Sequence, residues 1–463
     1  MDLNKKIDNM KEELVKSTQE VLKIKSVEDT GIDGAPFGEG VAKSLDKALE
    51  ISKSLGFKTV NLDGYVGYAE YGEGEDYVGV LGHLDVVPEG DGWNYPPYGA
   101  EIHDGKIFAR GSMDDKGPIM AALYGLKAIK DEGLKLSKRV RIIFGTNEET
   151  GSQEIHHYLA KEKPPVAGFT PDAEYPIIYA EKGITIFNIV KDLNIKSSGK
   201  VTIKYIKGGQ RPNMVPDYCE AGIVVDNVDN FISNVHNYAS EKGVNIKAEA
   251  KDGMAVVKSY GVSAHGSLPQ HGVNAIMQLF AFLGTIDMGK CDIADFVAFM
   301  NKYVGMDVYG KSFGVGLEDK ASGKLSFNVG VVSMDEKQVK VMLNLRYPVT
   351  FKCEDMMNPF NKTLEGTGIR VEDFEHQAPL YFPEDHPLIK ALQKVYTEQT
   401  GKEATLLAIG GGTYAKEMPN IVAFGPIFPG KPDLDHQANE YIEVEDLVLN
   451  AKIYAHAIYE LAK

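Results

Sequence analysis

Cysteine is scarce: Cys219, Cys291 and Cys353 are the only three in 463 residues, far apart and without CxxC spacing. That excludes a disulfide framework and a thiolate metal site, and it points to a reducing compartment. No run approaches eighteen consecutive apolar residues, so no membrane-spanning helix is expected. The opening segment lacks the apolar core of a secretory signal, because Lys5, Lys6, Glu12, Glu13, Lys16 and Glu20 interrupt it. Basic residues are in deficit, 50 against 66 acidic ones, for a net charge of −16. Such a surface repels phosphate backbones and anionic headgroups, so neither nucleic acid nor membrane is an expected partner. Together these absences predict a cytoplasmic protein.

What is present is ordinary globular composition, 43% hydrophobic and 25% charged, with material for two or three domains. Ile7, Met10, Leu14, Val21 and Leu22 recur at helical spacing and predict an amphipathic helix. Tyr77 to Gly82, Val140 to Phe144, Ala404 to Ile409 and Ile421 to Phe424 read as buried strands; Ile119 to Lys130 and Val444 to Leu461 read as helices. The alternation predicts an α/β domain with a central, mostly parallel sheet flanked by helices. The middle of the chain differs. Ile184 to Lys191 and Lys200 to Tyr205 are strand-like, Phe231 to Lys242 is helix-like, and the mixture continues through Val339 to Tyr347. It predicts a large α+β insertion, so that residues 1–184 and 377–463 form one domain and 185–376 another.

The strand ends carry the chemistry. The first strand leads into His83 and Asp85, and the second leads through Gly145-Thr146-Asn147 into Glu148 and Glu149. Ligands of open α/β sheets bind beyond the carboxyl ends of strands. Asp114-Asp115-Lys116-Gly117, Asp172 and the late Asp435-His436 add to the set. Imidazole and carboxylate together are the ligands of zinc and related divalent ions, and a shared carboxylate suits a pair of them. Each cluster alone is weak. Adjacency does not choose between Asp114 and Asp115, nor between Glu148 and Glu149.

The order of the clusters resembles the metallopeptidase family of aminoacylase and carboxypeptidase G. The likeness stands on Gly82-His83-Leu84-Asp85-Val86-Val87-Pro88, Gly111-Ser112-Met113-Asp114-Asp115-Lys116-Gly117, Glu148-Glu149-Thr150-Gly151, Ser263-Ala264-His265-Gly266 and Asp435-His436. Within it the chain is similar to PepV-type dipeptidases, through Pro88-Glu89-Gly90-Asp91-Gly92-Trp93, the Asp114-Asp115 doublet and the long insertion. The resemblance implies two divalent ions, zinc first, with manganese and cobalt also accepted by this ligand set. It places His83 and Asp172 on one ion, Glu149 and His436 on the other, and Asp114 between them. Asp85 would accept the free ring proton of His83, and Glu148 would be the general base. The insertion would be a lid, in which His265 stabilises the oxyanion and Asn213 and Arg346 hold the substrate's carboxylate. Gly410-Gly411-Gly412 would bring backbone amides to the substrate, Gly411 among them. Arg346 follows Asn344, where close relatives often carry Asp. Relatives with short lids share the oxyanion histidine across a dimer; a lid about twice as long can supply His265 from the same chain, which predicts a monomer.

The implied reaction is hydrolysis of short unblocked peptides, chiefly dipeptides. Its rivals are an N-acyl amino acid hydrolase or carboxypeptidase of the same chemistry, and a silent metal-binding scaffold. The scaffold is disfavoured because every expected ligand, base and oxyanion position holds a suitable residue. Other features read as plain structure. His156 and His157 are expected at the solvated surface, Trp93 packs near the site entrance, and the glycine run lacks the Gly-Lys-Ser/Thr ending of a phosphate loop.

Overall fold

The computed structural model describes residues 2–197 and 200–463, and the chain divides into two compact units. The first comprises Met1–Tyr179, Phe382–Leu407 and Gly412–Lys463; the second comprises Ala180–Tyr381 with Ala408–Gly411. The Gly410-Gly411 pair therefore groups with the inserted unit, whereas the sequence reading had assigned everything beyond 377 to the outer domain.

In the first unit a twisted sheet runs in the order Lys58–Leu62, Val66–Tyr71, Arg139–Gly145, Tyr77–His83, Ala167–Thr170, Ile421–Ala423. The last four are mutually parallel, and the first two pair antiparallel at one side. Tyr77–His83 is buried along its whole length, which is why it reads as a continuous apolar run without alternation. Helix Lys116–Asp131 packs against this strand and against helix Val444–Ala462. It is buried on nearly all sides, as its apolar run requires, and Pro118 sits in its first turn, where no amide donor is missed. The expected opening helix is two, Leu3–Asn9 and Lys11–Leu22. Met10, buried, departs from helical geometry between them, and its amide donates to Ile7 O.

The second unit is an eight-stranded antiparallel sheet with Gly183–Asp192, Gln338–Tyr347 and Ser326–Met334 as neighbours. Helices Val228–Lys242, Ala275–Leu283, Asp292–Tyr303 and Cys353–Leu364 share one apolar core with it, including Phe187, Ile223, Leu279, Phe296, Leu343 and Phe360. Among the described residues no helix is long and apolar enough to cross a membrane, and all three cysteines are free.

Candidate active site

In the first unit three parallel strands end together. Tyr77–His83 ends on His83, Arg139–Gly145 leads into the short 3-10 turn Glu148–Thr150, and Ala167–Thr170 leads into Asp172. Two small residues make the convergence possible. A side chain at Gly82 would collide with the carboxylate of Asp115, which accepts the His83 backbone N–H at 3.2 Å. A side chain at Gly145 would collide with the Tyr414 hydroxyl, which donates to Glu154. Leu84 N–H donates to Gly145 O at 3.0 Å, so the ends of the two strands are locked in register.

Asp114 lies at the centre, with a different imidazole at each of its oxygens. His83 Nε2 is 2.8 Å from Oδ1 and 3.9 Å from an Asp172 oxygen. His436 Nε2 is 3.2 Å from Oδ2 and 3.0 Å from a Glu149 oxygen. The ligand atoms of His83, Asp114 and Asp172 lie within 4.8 Å of one another, as do those of Asp114, Glu149 and His436, and those of His83, Glu148 and Glu149. His436 holds a left-handed φ of 62°, unusual for a side chain of its size. Thus all seven residues implicated around the metals from the sequence (His83, Asp85, Asp114, Glu148, Glu149, Asp172 and His436) come together in one unit.

Asp85 faces the His83 ring with both its carboxylate and its main chain. The nearer acceptor for His83 Nδ1 is the backbone carbonyl of Asp85 at 3.0 Å, with its carboxylate at 3.5 Å. That carboxylate also accepts the backbone N–H groups of Glu148 and Glu149, at 3.2 and 3.1 Å. The turn of adjacent glutamates presents orphan amides, and an acceptor at its start holds them. Asp85 therefore orients the glutamates through its carboxylate and the histidine through its main chain. His157, expected at the solvated surface, pairs with Asp63 at 2.8 Å and stacks on Tyr65.

The electrostatics are those of a site short of positive charge. Burial, then Asp172, pushes the carboxyl of Glu148 well above its usual range; burial also raises Glu149 and Asp172, and it carries Asp435 up to about 9. His436 is raised to about 11 by the hydrogen bonds its ring makes to Asp114 and Glu149. Burial works against the charge of His83, but the carboxylates of Asp114, Asp172 and Asp85 outweigh it and raise the imidazole well above its usual range. Buried carboxylates that oppose one another, between two imidazoles whose nitrogens face the same oxygens, match the donor set for divalent cations.

One residue escaped the sequence reading. Glu440 is fully buried and accepts from Arg110 Nη1 (2.7 Å) and from the amides of Gly111 (3.0 Å), Met113 (2.8 Å) and Asp114 (3.2 Å). Its position four residues after His436, on the loop that returns to the cluster, was the signal available.

The second unit holds the remaining four. Asn213 and Arg346 line a cavity of about 490 Å³. Arg346 is buried, donates from Nε to Asn344 Oδ1 at 3.0 Å and from Nη1 to Gly410 O at 2.6 Å, and burial lowers it to about 10. Among the described residues no carboxylate is within ion-pair range of it. His265 Nδ1 lies 2.6 Å from Ser267 Oγ, and Gly266 N–H donates to Asn213 O at 2.7 Å, which joins the two loops. Burial, then Arg346, lowers the imidazole of His265. At the glycine run it is a carbonyl, that of Gly410, that makes the contact, and Gly411 leaves room beside the guanidinium.

Comparison with known proteins agrees in kind. The profile of Peptidase family M20/M25/M40 matches residues 79–460. The chain is 43% identical over 457 residues to the protein named "Putative dipeptidase YtjP" of Bacillus subtilis (strain 168), covering 98% of each. It is 36% identical over 462 residues to one named "Putative dipeptidase" of Staphylococcus epidermidis (strain ATCC 12228 / FDA PCI 1200), again covering 98% of each. Its fold resembles that of the aminoacylhistidine dipeptidase from Vibrio alginolyticus, with a TM-score of 0.61 at 13% identity over 97% of this chain and 96% of that one. With its acidic and imidazole cluster at the strand ends, the chain is a metallopeptidase and belongs to peptidase family M20/M25/M40.

Proposed function

We propose that the chain hydrolyses the peptide bond of short unblocked peptides, chiefly dipeptides, at a binuclear divalent-metal site. The observation that carries this is Asp114, whose two oxygens each face a different histidine and a different second carboxylate. His83 and Asp172 would hold one ion, Glu149 and His436 the other, with Asp114 shared. When bound, such a pair acidifies water and polarises a carbonyl, which is what amide hydrolysis at neutral pH requires. Zinc, manganese and cobalt all suit the ligands.

The residues divide the remaining work. Glu148, its backbone held by Asp85, takes the proton of the attacking water and delivers it to the leaving amine. His265 donates to the oxygen that gains charge, and its lowered pKa is compatible with a neutral ring whose Nδ1 is engaged by Ser267. Arg346, a buried cation without a carboxylate partner among the described residues, takes the substrate's carboxylate together with Asn213. Gly411, beside that guanidinium, would offer its backbone amide to the substrate. The same reading holds that the chain works as a monomer in the cytoplasm. Mixing inactive His265→Ala with inactive Glu148→Gln protein should then restore no activity, and recovery would show a shared site.

The deciding experiment is a panel of dipeptides, matched tripeptides, N-acetyl dipeptides and acyl amino acids, offered to metal-free protein restored with single metals. A third residue displaces the carboxylate by about 3.5 Å, too far for the same charge-assisted bond. Dipeptides should therefore lead in kcat/KM by at least about tenfold, equivalent to roughly 1.4 kcal/mol. If acyl amino acids turn over faster than free dipeptides, the N-acyl hydrolase reading replaces this one.

A further inference from the structure

Glu440 lies within the same unit as the metal cluster but touches none of the atoms expected to bind metal. It is fully buried, and every contact it makes is to a donor. Oε2 accepts from Arg110 Nη1 at 2.7 Å and Gly111 N–H at 3.0 Å; Oε1 accepts from Met113 N–H at 2.8 Å and Asp114 N–H at 3.2 Å. Arg110 in turn donates to Gln437 O at 3.2 Å and to Glu89 O at 3.4 Å, with its guanidinium 5.4 Å from the Trp93 ring. Trp93 Nε1–H donates to the same Glu89 carbonyl at 2.7 Å, and Ala109 N–H donates to Glu440 O at 3.1 Å. One ion pair thus ties the backbone that carries Asp114 to the loop that carries His436, with the chain just after Asp85 as a third strand of the knot.

We propose that Glu440, paired with Arg110, is a positioning residue that sets the spacing of Asp114 and His436 and so the affinity of the metal position those two share with Glu149. The physical reason is reach. Asp114 and His436 come from loops 322 residues apart in sequence, and a carboxylate is the one side chain with acceptor sites enough for four converging N–H donors. His83 and Asp172 leave the ends of paired parallel strands, so their spacing is set by the sheet and depends less on Glu440. The inference rests on the two-metal reading above.

The test is metal titration of the metal-free protein by calorimetry, with circular dichroism for folding and steady-state kinetics for turnover. In Glu440→Gln one oxygen becomes an NH2 group facing N–H donors, so the Asp114 loop is repelled without a change in size. The expected result is a folded protein in which one of two ions binds at least about tenfold more weakly and the other within about threefold of wild type. Turnover should fall through kcat at low metal, with the peptide KM little changed, and excess metal should recover part of it. Arg110→Gln, which leaves the three backbone bonds of Glu440 in place, should show the same selective loss to a smaller degree, and it reads the proposal if Glu440→Gln fails to fold. A wild type that binds two ions and a folded variant that binds both as tightly would overturn the inference alone, as would equal weakening of both. A wild type that binds fewer than two ions would overturn the metal reading and the inference with it.

Discussion

Two buried polar regions lie side by side in the first unit, and they solve the problem of burial in opposite ways. Around Glu440 each carboxylate oxygen meets two N–H donors, one of them from Arg110, and these oppose the burial and the nearby Asp114 that raise its carboxyl to about 7. Around Asp114 several carboxylates crowd together with two imidazoles between them, and Glu148, Glu149, Asp172 and Asp435 are all pushed above their usual range. A matched pair holds backbone in place, and breaking it leaves an uncompensated charge. An unmatched cluster is an unfinished site, stable only because the surrounding sheet and loops over-determine it, and it invites cations. The difference separates a fully buried, paired carboxylate from a crowded cluster that reaches partly to solvent at His436.

The largest expected effect comes from removing one charge of the unmatched cluster. Glu148→Gln should lower single-turnover hydrolysis by about 10³-fold or more while both metals stay bound, since only the proton carrier is lost. Near-normal turnover would return Glu148 to the ranks of shape-giving residues. The second unit contains an unmatched group of opposite sign, Arg346. Arg346→Ala should reduce the preference for dipeptides over tripeptides by roughly tenfold, about 1.4 kcal/mol, with metal content unchanged; a preserved preference would mean the carboxylate is read elsewhere.

The smallest effect is a stability effect at Glu154. Its carboxyl is raised to about 7 by burial and then by Asp85, and one of its oxygens has no partner among the described residues. Between an unfolded pKa near 4.5 and a folded value near 7 the folded chain binds more protons, so this group's contribution to stability falls as pH rises through that window and is flat above it. Glutamine cannot ionise. In urea unfolding of the metal-free protein, Glu154→Gln should gain about 1 kcal/mol on wild type between pH 5 and pH 8, less than the full shift because the bond from Tyr414 to a charged acceptor is weakened too. An unchanged difference between the two pH values would place the burial cost elsewhere.

The residues of the cluster were legible because their types are costly to bury and they stand just after apolar runs: His83 after YVGVLG, Glu148 and Glu149 after VRIIFG. The family resemblance supplied their order. The parallel core was legible for a related reason, since strands covered on both faces must be apolar throughout. What could not be read was partnership across the chain. Nothing near Asp85 in sequence says that its carboxylate serves the amides of Glu148 and Glu149 while its carbonyl faces His83. The break at Met10 was not legible either, because Met10 fits the helical spacing of its apolar neighbours and is buried like them.

The sequence by itself determined which groups are available, on which strand ends, and with what excess of negative charge, because side-chain chemistry and hydrophobic period are local properties of a chain. Only the tertiary structure decided that one oxygen of Asp114 faces His83 and the other His436, and that Glu440 gathers four donors from a loop more than three hundred residues away. Hydrogen bonds and ion pairs act over about 3 Å, and which groups approach that closely is set by how strands and loops pack.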